Sequence, residues 1–241
     1  MTNNKIELNL ICQSKGGSGK TMLATLIAHA YTQKNDKSVL FVDMDSSTNS
    51  LSKNIAGLIK EENKERVSLL NSKQVLVRDL LISYIESLAD LHFTKIYADM
   101  GAPESEQLPA LLTDLDFVEF CDELKIKVNF HIVITAGGYV ASIDYLKKML
   151  SVVDNDSITV WRNITTFNNY PNLTNELEDN CKALKLNLRA FGDFDASTNL
   201  GALILSSITK SVPFLDYSTG ARIKLKGELV RNFNPEMSDG K

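Results

Sequence analysis

Cysteine, histidine and proline are scarce in this chain of 241 residues, which holds 3 cysteines, 3 histidines and 5 prolines. The cysteines are Cys12, Cys121 and Cys181, and no two form the close pair that a zinc site or an iron–sulfur ligand set requires. Their odd number and wide spacing predict reduced thiols in a cytoplasmic protein. No hydrophobic run approaches the roughly 20 residues that cross a bilayer, and the polar start of the chain predicts no signal peptide.

An excess of positive charge is also absent. The chain carries 26 Lys and Arg against 30 Asp and Glu, which gives a net charge of −4. A protein that coats DNA is usually basic, so any non-specific DNA contact is expected to be local or indirect. The hydrophobic fraction of 44% is enough for a chain of this length to bury a core without metal or disulfides. We expect one domain over residues 1–241, with a loose polar tail from about Asn232.

Hydrophobic runs alternate with helical patterns along most of the chain. Strands are predicted at Ile6–Cys12, Ser38–Asp43, Lys95–Asp99, Val128–Thr135, Ile158–Asn163 and Leu188–Phe191. Helices are predicted at Thr21–Lys34, Val77–Leu91, Glu104–Leu115, Ser142–Val153, Leu173–Leu184 and Asn199–Lys210. The charged segment Glu61–Arg66 is interpreted as a solvated loop. This alternation predicts an α/β fold with a mostly parallel β-sheet and helices on both faces.

A glycine-rich segment, Ser14-Lys15-Gly16-Gly17-Ser18-Gly19-Lys20-Thr21, lies between the first predicted strand and the first predicted helix. Glycines allow backbone N–H groups to surround phosphate oxygens, and the helix N-terminus directs a partial positive charge at the same group. Lys20 is expected to reach the β and γ phosphates of a nucleotide, and the Thr21 hydroxyl is a suitable Mg²⁺ ligand. The segment therefore predicts the phosphate-binding loop of a P-loop protein, with ATP in contact with residues from Lys15 to Met22.

Two carboxylates stand at the end of the second predicted strand, at Asp43 and Asp45. Parallel strands bring their C-terminal ends to the ligand, and residues two apart in an extended chain point to the same side. Both carboxylates are therefore expected close to the phosphates, and Asp43 is expected to support the bound Mg²⁺.

The phosphate loop departs from the ordinary pattern in having Ser14 in place of glycine and a second lysine, Lys15. The resulting Lys-Gly-Gly-Ser-Gly-Lys-Thr sequence resembles the deviant Walker A loop of the ParA/MinD family of P-loop ATPases. The resemblance implies that Lys15 crosses a dimer interface and contacts the nucleotide of the partner. It also implies an ATP-dependent homodimer that hydrolysis releases.

The same resemblance assigns catalytic roles to Lys15, Lys20 and Asp45. Asp45 would position the attacking water. The typical family pattern at this place is Asp-x-Asp-Pro-Gln, whereas this chain has Asp-Met-Asp-Ser-Ser over residues 43–47. The missing proline and glutamine leave open whether hydrolysis is retained.

Three later segments also resemble the family. Asp99 follows a short apolar strand like a Walker B carboxylate, and would hold Mg²⁺ through a water together with Thr21 and Asp43. Gly101 would sense the γ-phosphate through its backbone. Asn163 and Pro213 resemble positions that contact the adenine base.

The biological role of such an ATPase has several candidates. The resemblance favours a small partition protein, or a relative that acts in plasmid stability or conjugative transfer, with a centromere-binding or conjugation protein as its partner. The polar C-terminal segment predicts no membrane helix. A P-loop kinase or ligase that acts on a small molecule, and a non-hydrolysing nucleotide-binding scaffold, remain alternatives. ATP turnover without an added acceptor would separate the ATPase from the kinase, and nucleotide binding without turnover would identify the scaffold.

Overall fold

The computed structural model describes residues 6–34, 37–114 and 117–233. Within them, seven strands form one sheet in the order β3-β2-β4-β1-β5-β6-β7, and every pairing is parallel. The strands are β1 (Ile6–Cys12), β2 (Val39–Met44), β3 (Lys64–Arg66), β4 (Lys95–Met100), β5 (Ile126–Ile134), β6 (Ile158–Asn163) and β7 (Asn187–Phe191). The predicted α/β class with a parallel sheet is confirmed.

Helices cover both faces of this sheet. They are α1 (Lys20–Lys34), α2 (Ser50–Asn54), α3 (Arg78–Leu88), α4 (Ala102–Asp114), α5 (Phe117–Glu123), α6 (Tyr139–Leu150), α7 (Ile164–Phe167), α8 (Pro171–Ala183), α9 (Asn199–Thr209) and α10 (Thr219–Phe233). Side chains alternate between the faces along each strand. Leu8 and Leu10 of β1 belong to one buried cluster, whereas Ile11 belongs to a second cluster with α1 and α10.

The interpretation of the charged segment 61–66 as a solvated loop is wrong. It forms a 3₁₀ turn at Glu61–Asn63 followed by β3. β3 lies at the edge of the sheet and pairs only with β2, so its side chains reach water and need not be apolar. Charged side chains are typical of edge strands, where they discourage pairing with other chains.

The C-terminal helix α10 was not predicted from the sequence. Ala221, Leu225 and Leu229 form its buried stripe, at the spacing of an amphipathic helix. The helix includes Asn232 and ends at Phe233, and the rest of the expected polar tail lies outside the described residues. In the part of the chain that the structure describes, no helix is long and apolar enough to cross a membrane.

Buried polar groups connect the middle strands beneath α1. The indole N–H of Trp161 donates to His131 Nδ1 at 2.8 Å, so the proton of the neutral ring lies on Nε2, which is 3.1 Å from Asn9 Oδ1. Burial, together with the positive charge of Arg189, lowers the pKa of His131 to about 4. The Arg189 guanidinium lies 4.8 Å from the Trp161 ring centre, and Phe233 stacks on the same indole at 5.4 Å.

Candidate functional site

The predicted phosphate loop lines a cavity of about 450 Å³ at the C-terminal edge of the sheet. This volume is in the range of small-molecule sites. The lining residues are Gly16, Gly17, Ser18, Gly19, Lys20, Thr21, Asp45, Ser47, Thr48, Ser50, Asn54, Ala102 and Thr209. The fold therefore brings the loop together with Asp45. Asp45 follows β2, which is separated from β1 in the sheet by β4.

Two glycines give the loop its shape. Gly17 has φ of 71° and Gly19 has φ of 103°, a region that residues with a side chain rarely adopt. A Cβ atom on Gly19 would also lie 2.6 Å from Asn163 Nδ2. Helix α1 begins at Lys20, so its N-terminus faces the cavity and favours an anion there.

Lys20 is a buried cation of the cavity, with 8% of its surface exposed. Its ammonium donates to the carbonyl oxygen of Gln13 at 2.8 Å. Burial lowers the pKa of Lys20, and nearby carboxylates, first among them Asp99, oppose this shift. A bound phosphate would offer the ammonium a charged acceptor in place of a neutral carbonyl.

Thr21 and Asp99 are in direct contact, with the Thr21 hydroxyl donating to Asp99 Oδ2 at 2.7 Å. Burial raises the pKa of Asp99 to about 7, although the bond from Thr21 and the charge of Lys20 act against this rise. Its other oxygen, Oδ1, is buried and has no hydrogen-bond partner in the described ranges. A hydrated cation beside Thr21 would supply this oxygen with donors, so these two residues fit Mg²⁺.

Direct coordination by several carboxylates is not a feature of this site. Across residues 6–34, 37–114 and 117–233, no three His, Cys, Asp or Glu side chains form a metal-binding group.

Asp43 lies beside the cavity but does not line it. Its carboxylate is 2% exposed, and its two oxygens accept from the backbone N–H groups of Asp45 at 3.3 Å and Ser52 at 2.8 Å. These bonds hold the loop that follows β2. The structure thus shows Asp43 supporting the backbone. Asp43 is also the register partner of Asp99, and its predicted support of Mg²⁺ stays a prediction.

Asp45 is held by the turn that follows it. Oδ1 accepts from the backbone N–H of Ser47 at 2.9 Å, and Oδ2 accepts from the Thr48 hydroxyl at 2.8 Å. Partial burial raises the pKa of Asp45, but the hydrogen bonds from Ser47 and Thr48 outweigh it, so the pKa lies below its usual value. Asp45 is therefore an ionised carboxylate at the wall of the cavity.

Lys15 extends over Gly138, in the 3₁₀ turn after β5. A Cβ atom on Gly138 would lie 2.1 Å from Lys15 Cε, so this lysine needs the space that the glycine leaves. The Lys15 side chain is half-buried. The side chain of Met22, also predicted at the nucleotide, packs against the cluster beneath α1, and its contact with a nucleotide stays a prediction.

The two residues predicted at the adenine base, Asn163 and Pro213, lie on different elements of the fold, and their contact with a base stays a prediction. Asn163, at the end of β6, donates through Nδ2 to the carbonyl oxygen of Ser18 at 3.0 Å. Pro213 follows α9 and does not line the cavity; its neighbour Ser211 accepts from the backbone N–H of Gly57 at 2.6 Å. The residue beside Asn163 is Gly192, in the loop after β7, where a Cβ would lie 3.4 Å from Asn163 Oδ1.

Sequence reasoning missed a buried network behind the loop. Gln13 donates through Nε2 to Val133 O at 2.7 Å, and its backbone N–H donates to Ser105 Oγ at 3.2 Å. The Ser105 hydroxyl donates in turn to the Gly101 carbonyl at 2.8 Å. Gly101, the predicted phosphate sensor, is thus connected to the start of the phosphate loop. The available signal was Gln13 itself, a polar residue directly after an apolar strand.

Comparison with known proteins agrees with this geometry. The model of the CobQ/CobB/MinD/ParA nucleotide-binding domain family, CbiA, matches residues 10–210. The solved structure of the MinD cell division protein of Aquifex aeolicus matches at 17% identity with a TM-score of 0.56, covering 98% of each chain. The MinC:MinD cell division protein complex of the same organism matches at 16% identity with a TM-score of 0.55, covering 98% of this chain and 97% of the other.

A search of curated protein sequences finds no match. The two structures, below one fifth identity, establish similarity of fold. The family match supports a stronger conclusion than the two structures do, because it spans most of the chain and includes the phosphate loop, Asp45 and Asp99. The chain belongs to the CobQ/CobB/MinD/ParA family of nucleotide-binding domains.

Proposed function

We propose that this chain is a cytoplasmic, Mg²⁺-dependent ATPase that dimerises when it binds ATP and separates after hydrolysis. The observation that carries the proposal is the arrangement of Lys15 beside the cavity. Its ammonium has no hydrogen-bond or ion-pair partner in the described part of the chain, while the loop next to it, Gly16 and Gly17, is exposed. An unpaired cation beside an open phosphate cavity is suited to bind the phosphate of a nucleotide held by a second chain.

Within one protomer, the buried ammonium of Lys20 would contact the β and γ phosphates. Mg²⁺, when bound, would neutralise phosphate charge, with the Thr21 hydroxyl as a ligand and Asp99 holding one of its waters. The ionised Asp45 would accept a hydrogen bond from the attacking water and orient it. Phosphoryl transfer of this kind depends on positioning and charge rather than on a covalent enzyme intermediate.

Lys15 would act across the interface. Gly16 and Gly17 carry no side chain and leave open space around their Cα atoms, so a second chain can approach the phosphates closely. A lysine from each protomer would then add positive charge to the nucleotide of the other. Dimerisation and hydrolysis would depend on the same residue.

For the role of this cycle, we propose plasmid or DNA partition or conjugative transfer, with a centromere-binding or conjugation protein as partner. The matched MinC:MinD structure is a complex of two cell division proteins, which supports a protein partner here. The net charge of −4 makes broad, direct DNA binding the less favourable arrangement.

A kinase acting on a small acidic molecule is the second candidate. It is favoured by a polar cavity of about 320 Å³ on the other side of the Asp45 loop, with Arg66 and Asn49 in its wall. The Arg66 guanidinium is exposed and has no charge partner among the described residues. This guanidinium could bind the carboxylate of an acceptor substrate.

The test of the dimer switch is light scattering coupled to size exclusion, with Mg²⁺ and either ADP or a non-hydrolysable ATP analogue. The wild type should be a dimer with the analogue and a monomer with ADP. Lys15→Ala should retain nucleotide binding but remain a monomer and lose turnover. The same mass in every nucleotide state would rule out the switch, and normal turnover by Lys15→Ala would make Lys15 a surface lysine.

The kinase is distinguished by measuring ADP release without any added acceptor. An ATPase turns over under these conditions, whereas a kinase waits for its acceptor. Arg66→Ala serves as the matched variant, since it should leave acceptor-free turnover unchanged.

A further inference from the structure

Glu104 connects the two loops that flank the phosphate cavity. It lies in the first turn of α4 and is 0% exposed. Its Oε1 accepts from the hydroxyl of Ser46 at 2.7 Å and from the backbone N–H of Ser46 at 3.3 Å. Ser46 directly follows Asp45, so the loop after β2 is attached to the segment after β4 at the residue next to Asp45.

The second oxygen of Glu104 lies beside Gly101, on the side where Asp45 is also close. A Cβ atom on Gly101 would lie 2.1 Å from Glu104 Oε2 and 3.2 Å from Asp45 Oδ1. Oε2 is buried and has no hydrogen-bond partner within the described ranges. A movement of the Gly101 backbone toward Glu104 would therefore press on this carboxylate.

A buried carboxylate needs compensation for its lost hydration. Two sources are present. Glu104 lies at the N-terminal end of α4, where the helix dipole favours negative charge, and its charge interacts favourably with Lys20. The cost that remains makes a purely structural explanation weak, because an apolar side chain would fill the same space without it.

We propose that Glu104 is a positioning residue for Asp45: it transmits the position of Gly101, and so the state of the phosphate site, to the loop that carries Asp45. The proposal rests on the ATPase function proposed above. It also gives a reason for the departure at position 46, where the related pattern has proline. A proline has neither the N–H nor the hydroxyl that Ser46 donates to Glu104.

The direct test is hydrogen–deuterium exchange of the amides of residues 45–52, first in the free protein and then with Mg²⁺ and a non-hydrolysable ATP analogue. In the free protein, Glu104→Ala should accelerate exchange at Ser46 about tenfold, the loss expected for one hydrogen bond to a charged acceptor. Glu104→Gln retains an oxygen at Oε1 and should restore slow exchange. Glu106→Ala, on the same helix but paired with Lys148 at 3.0 Å, is the control and should leave this loop unchanged.

Kinetics supply the second measurement. Glu104 does not line the cavity, so Glu104→Ala should lower kcat about a hundredfold, as for a misplaced reacting group, while KM changes only through the lost charge interaction with Lys20. Glu104→Gln should recover most of kcat. If Glu104→Ala does not fold, as judged by circular dichroism, Ser46→Ala removes only the hydroxyl bond and should show a smaller acceleration of the same amides.

Two outcomes would overturn the proposal. One is unchanged exchange at residues 45–52 in Glu104→Ala, and the other is a Glu104→Gln variant as defective as Glu104→Ala. Failure of the ATPase function is recognised separately, because the wild type would then not bind the nucleotide in a titration. The exchange experiment on the free protein still reports on the Glu104–Ser46 connection in that case.

Discussion

The ammonium group of Lys20 is hydrogen-bonded at 2.8 Å to the carbonyl oxygen of Gln13, two residues before Lys15. The carbonyl belongs to the same chain segment as the phosphate loop, so the lysine folds back on its own loop. A buried ammonium without an acceptor would be costly, and the Gln13 carbonyl prevents this. Nucleotide binding must therefore exchange a neutral acceptor for a charged one, which limits the net gain from the contact.

Lys20→Ala should weaken ATP binding by about 2–3 kcal/mol, which is roughly 30- to 150-fold in the dissociation constant. The reason is the loss of one charge-assisted contact in a partly buried site. Isothermal titration with a non-hydrolysable analogue measures it. Lys34→Ala, at the exposed end of the same helix, is the control and should bind ATP like the wild type. If the wild type and both variants bind the analogue with equal affinity, the assignment of the phosphate-binding loop is wrong.

Asp45→Asn should bind ATP within a few-fold of the wild type and lose hydrolysis by a factor of about 10²–10⁴, the usual contribution of a proton-accepting side chain. The asparagine retains a carbonyl oxygen for the turn at Ser47 and Thr48, so the loop is preserved. Phosphate release and light scattering are the measurements, and the ATP-bound dimer should persist. Hydrolysis at the wild-type rate would exclude Asp45 from water positioning.

Gly138→Ala should release Lys15 from its place over the turn after β5, because the new Cβ would occupy the position of Lys15 Cε. The φ of Gly138 is −172°, so the backbone accepts alanine and the melting temperature should be unchanged. Freed from its own chain, Lys15 should strengthen ATP-dependent dimerisation by less than about tenfold. Analytical ultracentrifugation at several concentrations tests this, and a weaker dimer would contradict it.

His29 should make the protein more sensitive to acid. Burial lowers its pKa to about 4, against about 6.5 unfolded, so its contribution to stability is present above pH 6.5 and is lost as the pH falls toward 4. Between pH 7 and pH 5 this amounts to about 2 kcal/mol. Asp99, whose pKa is raised to about 7, acts in the opposite direction over the same interval.

The effect of His29 is therefore measured as a difference between variants. His29→Phe keeps a ring beside Tyr217, with which His29 makes an edge contact at 5.8 Å. Urea unfolding at pH 7 and pH 5 should show that the variant gains stability relative to the wild type as the pH is lowered. An equal pH dependence of the two proteins would show that His29 does not titrate on unfolding in this range.

The strands and the phosphate loop could be predicted because their signals are local. Residues Ile6–Cys12 form an unbroken strand, and the glycines at 17 and 19 have the positive φ that their sequence context indicated. The short strand β3 could not be recognised, because an edge strand carries no hydrophobic pattern. Helix α10 had a readable pattern at Ala221, Leu225 and Leu229, and Gly220 and Gly227 obscured it.

The hydrogen-bond network around the cavity could not be predicted from the sequence, because its bonds join segments that are distant along the chain. Glu104 is 58 residues from Ser46, and neither residue is unusual where it stands. Asp43 also illustrates the limit: the strand end placed it near the site, but only the fold shows that its oxygens are occupied by backbone N–H groups. Pairings of this kind depend on three-dimensional geometry that spacing alone does not encode.

Trp161 is the only tryptophan in the sequence, and it lies against the last residue of the described chain, Phe233. Its emission therefore originates from one place, where the indole is covered by the end of α10. Detachment of that helix end would expose the ring to water and shift the emission to longer wavelength. Because α10 packs on α1, the emission of Trp161 is a natural optical reporter of the attachment of α10 to the rest of the fold, without an attached dye.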